Sequence, residues 1–185
     1  MTSPITLALI VKNEPFLEKC LLSIKDYVAE IVIVDTGSTD GTLEIVKKYA
    51  DIWEVFTDCN DPKTGLIEDF SMARERSFAL ATQPWVMWCD GDDTIEGGEH
   101  LEKLIKEFEH NKSLVEQDLH IQKKLDGIAY LFPYEYAYNE HGQCTLKHYR
   151  ERLFSNKYYF KWVNPVHEVV MPIEEYAISL IAKDE

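Results

Sequence analysis

The sequence predicts an α/β fold, with a mostly parallel sheet covered by helices on both faces and a more antiparallel second part. Three observations predict it. Residues 5–11, 31–34 and 85–89 are apolar runs without polar alternation, as in strands buried on both faces. Polar turns and apolar residues at helical spacing follow the first two runs, the order of a strand–helix alternation. From residue 127 onward, long stretches rich in Tyr, Phe, Val and Trp replace the helical pattern.

The elements follow in order. The first strand is broken by Lys12-Asn13-Glu14-Pro15, where Asn13 is expected to cap a helix and Pro15 to sit in its first turn. Phe16, Leu17, Cys20, Leu21 and Ile24 then give that helix one apolar face. The second strand, 31–34, ends in Asp35. The turn 36–41 leads to a helix with Leu43, Ile45, Val46 and Tyr49 inside, capped by Ser38, Thr39 or Asp40. A third strand is expected over 52–56, a loop over 58–66, a helix over 70–81 and a strand over 85–89. Residues 99–108 read as a charged amphipathic helix, and the polar stretch 111–126 as its extension or a mobile segment. Strands are expected within 127–138, 144–154 and 158–171, with a turn at Asn139-Glu140-His141-Gly142.

At 185 residues the chain suffices for one domain with a substantial core. Its net charge of −14 opposes binding to nucleic acid or to an anionic membrane surface. It leaves room for a phosphate site, because a metal ion and one or two arginines reverse the sign locally. The four cysteines form no C-x-x-C pair, which excludes a zinc ribbon and fits a reducing compartment such as the cytoplasm. No signal peptide or transmembrane segment is read from the sequence, since residues 5–11 are too short a run to span a bilayer.

The strongest functional signal is Asp90-Gly91-Asp92, where the strand 85–89 meets three carboxylates. In an extended chain Asp90 and Asp92 point to the same side. Paired carboxylates repel, and a hard divalent cation such as Mg²⁺ or Mn²⁺ relieves the conflict while binding substrate phosphate. Gly91 lets a ligand approach the backbone, and Asp93 reads as a cap. Asp90–Asp93, Lys12-Asn13-Glu14 and Asp35–Asp40 all fall at carboxyl ends of strands, where ligands of such sheets bind. Asp35 is placed to hold a base or ribose, and Arg74 to reach a diphosphate through its guanidinium fork or to form a surface ion pair. His167-Glu168 is weak evidence, because neighbours on a strand point to opposite faces.

In this order, the motifs resemble those of family 2 glycosyltransferases with the GT-A fold. Residues 8–14, ALIVKNE, resemble the family's first strand and donor-binding turn. IVIVDTGSTDGT at 31–42 resembles its second strand and turn, and Asp69-Phe70-Ser71 with Ala73-Arg74 a helix start. Asp90-Gly91-Asp92 resembles the DxD signature, and Arg152-Leu153-Phe154 and Val166-His167-Glu168 late motifs of a bacterial-type branch with lipopolysaccharide-core and peptide glycosyltransferases.

The resemblance implies one GT-A domain over 1–185, Rossmann-like in its parallel part and mixed or antiparallel towards the C-terminus. Residues 1–95 would form the nucleotide-sugar half and 96–185 the acceptor-side half. It implies inverting transfer from a nucleoside diphosphate sugar, a UDP-sugar favoured, to a saccharide, lipid-linked saccharide or peptide. Val11, Lys12, Asn13, Glu14, Asp35, Ser38, Arg74, Asp90 and Gly91 would bind the donor. Asp90 and Asp92 would share Mn²⁺ or Mg²⁺. Glu168 or His167 would be the base, with metal ligation or acceptor contact as other roles for His167. Glu75 departs from the usual Asn after the arginine, and Gln83-Pro84 from the usual Gly-Asp. The chain stops soon after His-Glu, which is expected of a fragment or one domain of a longer protein.

Two rivals follow from the same residues. A haloacid-dehalogenase-type phosphatase fits Asp90-Gly91-Asp92-Asp93-Thr94, with Asp90 as nucleophile and Asp92 as acid/base. It needs a later acidic pair, which Asp118, Asp126 and Asp184 do not form, and three strands precede its motif. The other rival is a nucleotide-sugar-binding domain without turnover. No G-x-G-x-x-G follows a strand and no P-loop is present, which disfavours a dehydrogenase and a P-loop enzyme.

Overall fold

A computed structural model describes residues 2–118, 127–155, 157–173 and 177–181. The part of the polar segment over 119–126 lies outside the described residues, as do Asp126 and Asp184. Strands β1 (Ser3–Val11), β2 (Val28–Asp35), β3 (Ile52–Val55) and β4 (Trp85–Trp88) alternate with helices α1 (Leu17–Ile24), α2 (Thr42–Tyr49) and α3 (Phe70–Leu80). Helix α4 (Leu101–Asp118) follows a 3₁₀ turn, Gly98–His100. Then come β5 (Gly127–Tyr138), β6 (Cys144–Ser155), a second 3₁₀ turn (Lys157–Tyr159), β7 (Phe160–Val163), β8 (Val169–Pro172) and β9 (Ala177–Ile181).

Seven strands form one sheet in the order β3-β2-β1-β4-β6-β5-β9. The pairs β1–β2, β2–β3 and β1–β4 are parallel, and β6 runs antiparallel to β4 and β5. Both predicted halves thus contribute to a single sheet. Strand β9, parallel to β5, was not foreseen.

Alternation within β1 shows why the run had to be apolar throughout. Ile5, Leu7, Leu9 and Val11 pack on one face with Leu17, Cys20, Leu21 and Ile24 of α1, Val46 of α2 and Leu101, Ile105 and Phe108 of α4. Ala8 and Ile10 face the other side, where Ala73 and Phe78 of α3 and Phe160 and Trp162 of β7 lie. Each large side chain buried in this way contributes about 1.5–3 kcal/mol. Phe16, expected on the inner face of α1, is exposed because it precedes the helix.

Two expectations fail on local geometry. Asn13 does not cap α1; its side chain turns to the Asp35–Thr42 segment instead. The stretch 158–171 is broken by a turn, with Asn164 and His167 at φ of 71° and 58°, so β7 and β8 pair as a separate two-stranded sheet. His167 and Glu168 therefore lie in a turn, and the strand-alternation argument does not apply to them.

Candidate active site

At the carboxyl ends of β1 and β2, two turns are laced together. Thr36 N–H donates to Val11 O at 2.9 Å, and Lys12 Nζ donates to Thr36 O at 2.9 Å and to Gly65 O. Asn13 N–H donates to Ser38 Oγ at 2.9 Å, Thr39 N–H to Asn13 Oδ1 at 2.7 Å, and Glu14 N–H to Thr42 Oγ1 at 2.8 Å. Ser38 thus serves this lattice, while Asp40 Oδ1 accepts the Thr42 N–H of α2. Asp35 is buried, and its Oδ1 accepts from Gly37 and Ser38 N–H, both at 2.8 Å. Its Oδ2 is buried without a hydrogen-bond partner. Beside these turns lies a cavity of about 680 Å³ lined by Lys12, Gly37, Thr57, Asn60 and the 61–65 loop.

At the end of β4 a charge cluster forms. The α3 face that carries Ala73, Ser77 and Phe78 inward also carries Arg74, only 2% exposed. Its Nη2 pairs with Asp90 Oδ1, its Nη1 donates to Cys89 O at 3.3 Å, and its Nε to Glu168 Oε1 at 3.4 Å. Arg152 of β6 lies with Nη2 3.1 Å from Asp93 Oδ2 and 3.7 Å from Asp90 Oδ2. Trp88 is the shared platform, with the Arg74, Arg150 and Arg152 guanidinium carbons 4.4, 5.0 and 3.9 Å from its ring centre. Burial acts to raise the Asp90 pKa, but the Arg74 and Arg152 charges outweigh it and hold the carboxyl below its ordinary value. Burial wins at Asp93, whose pKa is raised although Arg152 opposes.

The backbone does not stay extended through this motif. The strand ends at Trp88, Asp93 N–H donates to Asp90 O at 3.1 Å, and Asp90 N–H donates to Asp93 Oδ2 at 3.0 Å. Asp90 and Asp92 therefore sit in a turn, and the same-side argument drawn from an extended chain is corrected. Asp90 is answered by two arginines. Asp92 is exposed, and its carboxylate makes no ion pair or hydrogen bond among the described residues. Gly91 is packed against Glu14: an added Cβ would lie 2.7 Å from Glu14 Cγ, so the close approach is to the protein's own chain.

Other predicted site residues differ in setting. Arg74 is neither a surface ion pair nor an open guanidinium, because three protein acceptors surround it. Glu168 is brought to the cluster by Arg74, with its side chain 14% exposed, and His167 beside it is exposed. Glu75, the departure from the usual Asn, accepts the Trp162 N–H and ties α3 to β7. Arg150, Trp88 and the pairing role of Asp93 were missed, and Arg152 was seen only as a motif letter. Arg150 and Arg152 are two apart on a strand, hence on one side, which was the available signal.

No group of three His, Cys, Asp or Glu among the described residues could hold a metal ion by itself. The donor set still suits Mg²⁺ or Mn²⁺. Such ions are held by one or two carboxylates and complete their shell with water and substrate phosphate. Asp92 supplies a free carboxylate, and Asp90, two residues before it, is held by Arg74 and Arg152.

Residues 6–162 match the model for glycosyl transferase family 2. The chain belongs to that family. Its α/β architecture is that of a GT-A glycosyltransferase, as the motifs implied, and the phosphatase reading falls with this assignment. A TPR repeat-containing protein of Synechococcus elongatus is 29% identical over 90% of this chain and 35% of its own length. The glycosyltransferase SunS of Bacillus subtilis is 38% identical over 50% of this chain and 21% of its own. The crystal structure of S. aureus TarS 1–349 in complex with UDP-GlcNAc is 20% identical, with a TM-score of 0.43 over 70% of this chain and 34% of that one. The chain thus spans about a third or less of the length of these proteins.

Proposed function

We propose that this chain is the donor-binding and catalytic domain of an inverting glycosyltransferase that uses a nucleoside diphosphate sugar, a UDP-sugar first among them. The observation that carries the reading is the presence, in a family 2 chain, of an unpartnered Asp35 Oδ2 and a free Asp92 carboxylate at the carboxyl ends of β2 and β4, the two strands that flank β1. Asp35 offers an acceptor for the imide N–H of a uracil base, and the 680 Å³ cavity reaches its turn through Gly37, which donates to Asp35, and Lys12, without being lined by Asp35 itself. Val11, Lys12, Asn13, Glu14 and Ser38 shape that side through their turn lattice. We assign residues 1–95 to the donor and 96–185 to the acceptor side of one domain.

Asp92, with Asp90, would hold Mn²⁺ or Mg²⁺, which supplies charge stabilisation at the leaving diphosphate when bound. Glu168 is the base: a single displacement with inversion needs a base within reach of the acceptor hydroxyl, and Arg74 keeps this carboxylate oriented. Arg74 is a positioning residue, since it acts through Asp90 and Glu168. His167, exposed on the same turn, is assigned to acceptor contact. The acceptor's proton passes to Glu168 as its oxygen attacks the anomeric carbon and the nucleoside diphosphate departs.

The same reading places the protein in a reducing compartment, the cytoplasm. Its cysteines are free, although Cys20 and Cys89 hold their sulfurs 3.6 Å apart, and hydrogen bonding and burial push the Cys89 thiol well up. No helix among the described residues is long and apolar enough to cross a membrane. Calorimetry with UDP tests the donor site. Binding in Mn²⁺ and at least roughly tenfold weaker binding in its absence are expected, since the ion bridges the carboxylates to the diphosphate oxygens, which the carboxylates alone would repel. Equal affinity with and without metal removes the metal role.

A further inference from the structure

A second cavity lies beside the charge cluster, away from the nucleoside side. It encloses about 740 Å³ between the β4 end, residues 92–96 and the β5–β6 hairpin. That volume is in the range of small-molecule sites, about 300–1,000 Å³. Asp92 lines it, so it borders the carboxylate assigned to the donor metal. Trp88 and three hairpin aromatics, Phe132, Tyr134 and Tyr138, give it flat apolar walls.

Arg152 lines the same cavity and is only 5% exposed, yet neither Nη1 nor Nη2 has a hydrogen-bond partner. Nη2 lies 3.1 Å from Asp93 Oδ2 as an ion pair. Buried donors left unsatisfied are costly, and a ligand oxygen at this wall would relieve them. The wall also carries acceptors, Asp93 and Glu135. The Tyr134 phenol stays protonated, since burial and the nearby Asp93 and Asp90 charges push its pKa up to about 12, and with its O–H directed to Asp93 its oxygen is left to accept from a ligand hydroxyl.

The ligand class follows from this mixture. A phosphate or carboxylate needs donors alone and a net positive field. Here Asp92, Asp93, Glu96 and Glu135 outnumber the three cations in the lining. A sugar hydroxyl both donates and accepts, and the C–H face of a pyranose packs on aromatic rings. We propose that this cavity is a subsite for a neutral saccharide, with Arg152 and Tyr134 contacting its hydroxyls. Its role as the acceptor subsite rests on the transferase reading above; the binding itself does not.

Saturation-transfer NMR on the whole chain tests it. The probes are methyl β-glucopyranoside, methyl β-galactopyranoside, glucose 6-phosphate and a short serine-containing peptide, with UDP affinity in Mn²⁺ measured alongside. At least one neutral glycoside should be saturated more strongly than the sugar phosphate and the peptide. Tyr134→Ala and Arg152→Gln should each cut that signal at least fivefold, and in Tyr138→Ala, away from the Asp90 cluster, UDP affinity should stay within twofold. Tyr138→Ala, at a surface-exposed ring, should also weaken it and keeps the test valid should Arg152→Gln fail to fold. Undiminished signal in the folded variants, or stronger saturation of the phosphate or peptide, overturns the proposal. UDP binding without glycoside binding overturns the subsite and leaves the transferase reading standing. Glycoside binding without UDP binding supports the subsite and overturns that reading.

Discussion

Strand β2 carries two buried carboxylates, Glu30 near its start and Asp35 at its end, and the fold treats them oppositely. Glu30 is fully partnered: Thr6 Oγ1 donates to it, as do Thr82 N–H at 2.8 Å and Thr82 Oγ1 at 2.5 Å. Asp35 has one oxygen held by two turn amides and the other left bare. The contrast extends across the sheet. At the amino ends of the parallel strands, Glu30 joins β1, β2 and the turn before β4. At their carboxyl ends stand the unpartnered atoms of Asp35 and Arg152, and the exposed Asp92. A satisfied buried network fixes a fold, whereas unsatisfied polar atoms mark where the fold awaits a ligand.

If the two ends divide stability from function, substitutions should separate the two readouts. Asp92→Ala should lower Mn²⁺-dependent nucleotide-sugar hydrolysis by about 10²–10³-fold, the range for losing one transition-state charge contact. Its melting temperature should not move, because Asp92 has no protein partner; near-normal hydrolysis would break the assignment. Glu168→Gln should lower turnover by roughly 10²-fold, a modest general-base effect, and leave UDP affinity alone in calorimetry. Unchanged turnover would disqualify Glu168.

Glu30→Ala should reverse the pattern. It strands the Thr6 and Thr82 donors in a buried site, a loss of about 2–3 kcal/mol in urea unfolding, with UDP affinity unchanged. Asp35→Asn keeps an oxygen for the Gly37 and Ser38 amides, so stability should fall by only about 1 kcal/mol. UDP affinity should nevertheless drop by roughly tenfold, the worth of one good hydrogen bond to a charged group. A stability loss without an affinity loss would assign Asp35 to the turn alone.

The smallest effect is on pH dependence. Burial acts to raise the Glu30 pKa, but the Thr6 and Thr82 hydrogen bonds outweigh it, so the folded value lies below the ordinary 4.5. A lowered folded pKa gives stability that is full above the unfolded value and is lost as pH falls through the folded one. Unfolding below pH 4.5 should therefore be less steep with pH in Glu30→Gln than in the parent. Asp93, raised by burial, has the opposite sign: its contribution becomes less unfavourable as pH falls. An acid limb unaffected by Glu30→Gln would refute the network's role in stability.

How much of this was legible depended on range. The β1, β2 and β4 runs announced themselves, because a strand buried on both faces can hold few polar residues. The turns after β1 and β2 were recognisable as ligand-facing, since polar clusters at strand ends recur in parallel sheets. Arg74 was visible, but its burial was not. That required α3 to turn Ala73 and Phe78 inward beside it and Trp88 to lie beneath its guanidinium. Arg152 was unreadable as a partner of Asp90 because β6 is far away in sequence and its register against β4 is set by long-range pairing.

By itself the sequence determined the α/β alternation, the positions of the parallel strands and the chemical identity of the strand-end clusters. Those properties follow from local periodicity and residue type. Only the tertiary structure decided that Asp90 is held by arginines from α3 and β6 while Asp92 is left free, and that Glu168 reaches the same cluster from a turn. Ion pairing between distant segments depends on where packing carries each side chain, and no local pattern along the chain encodes that.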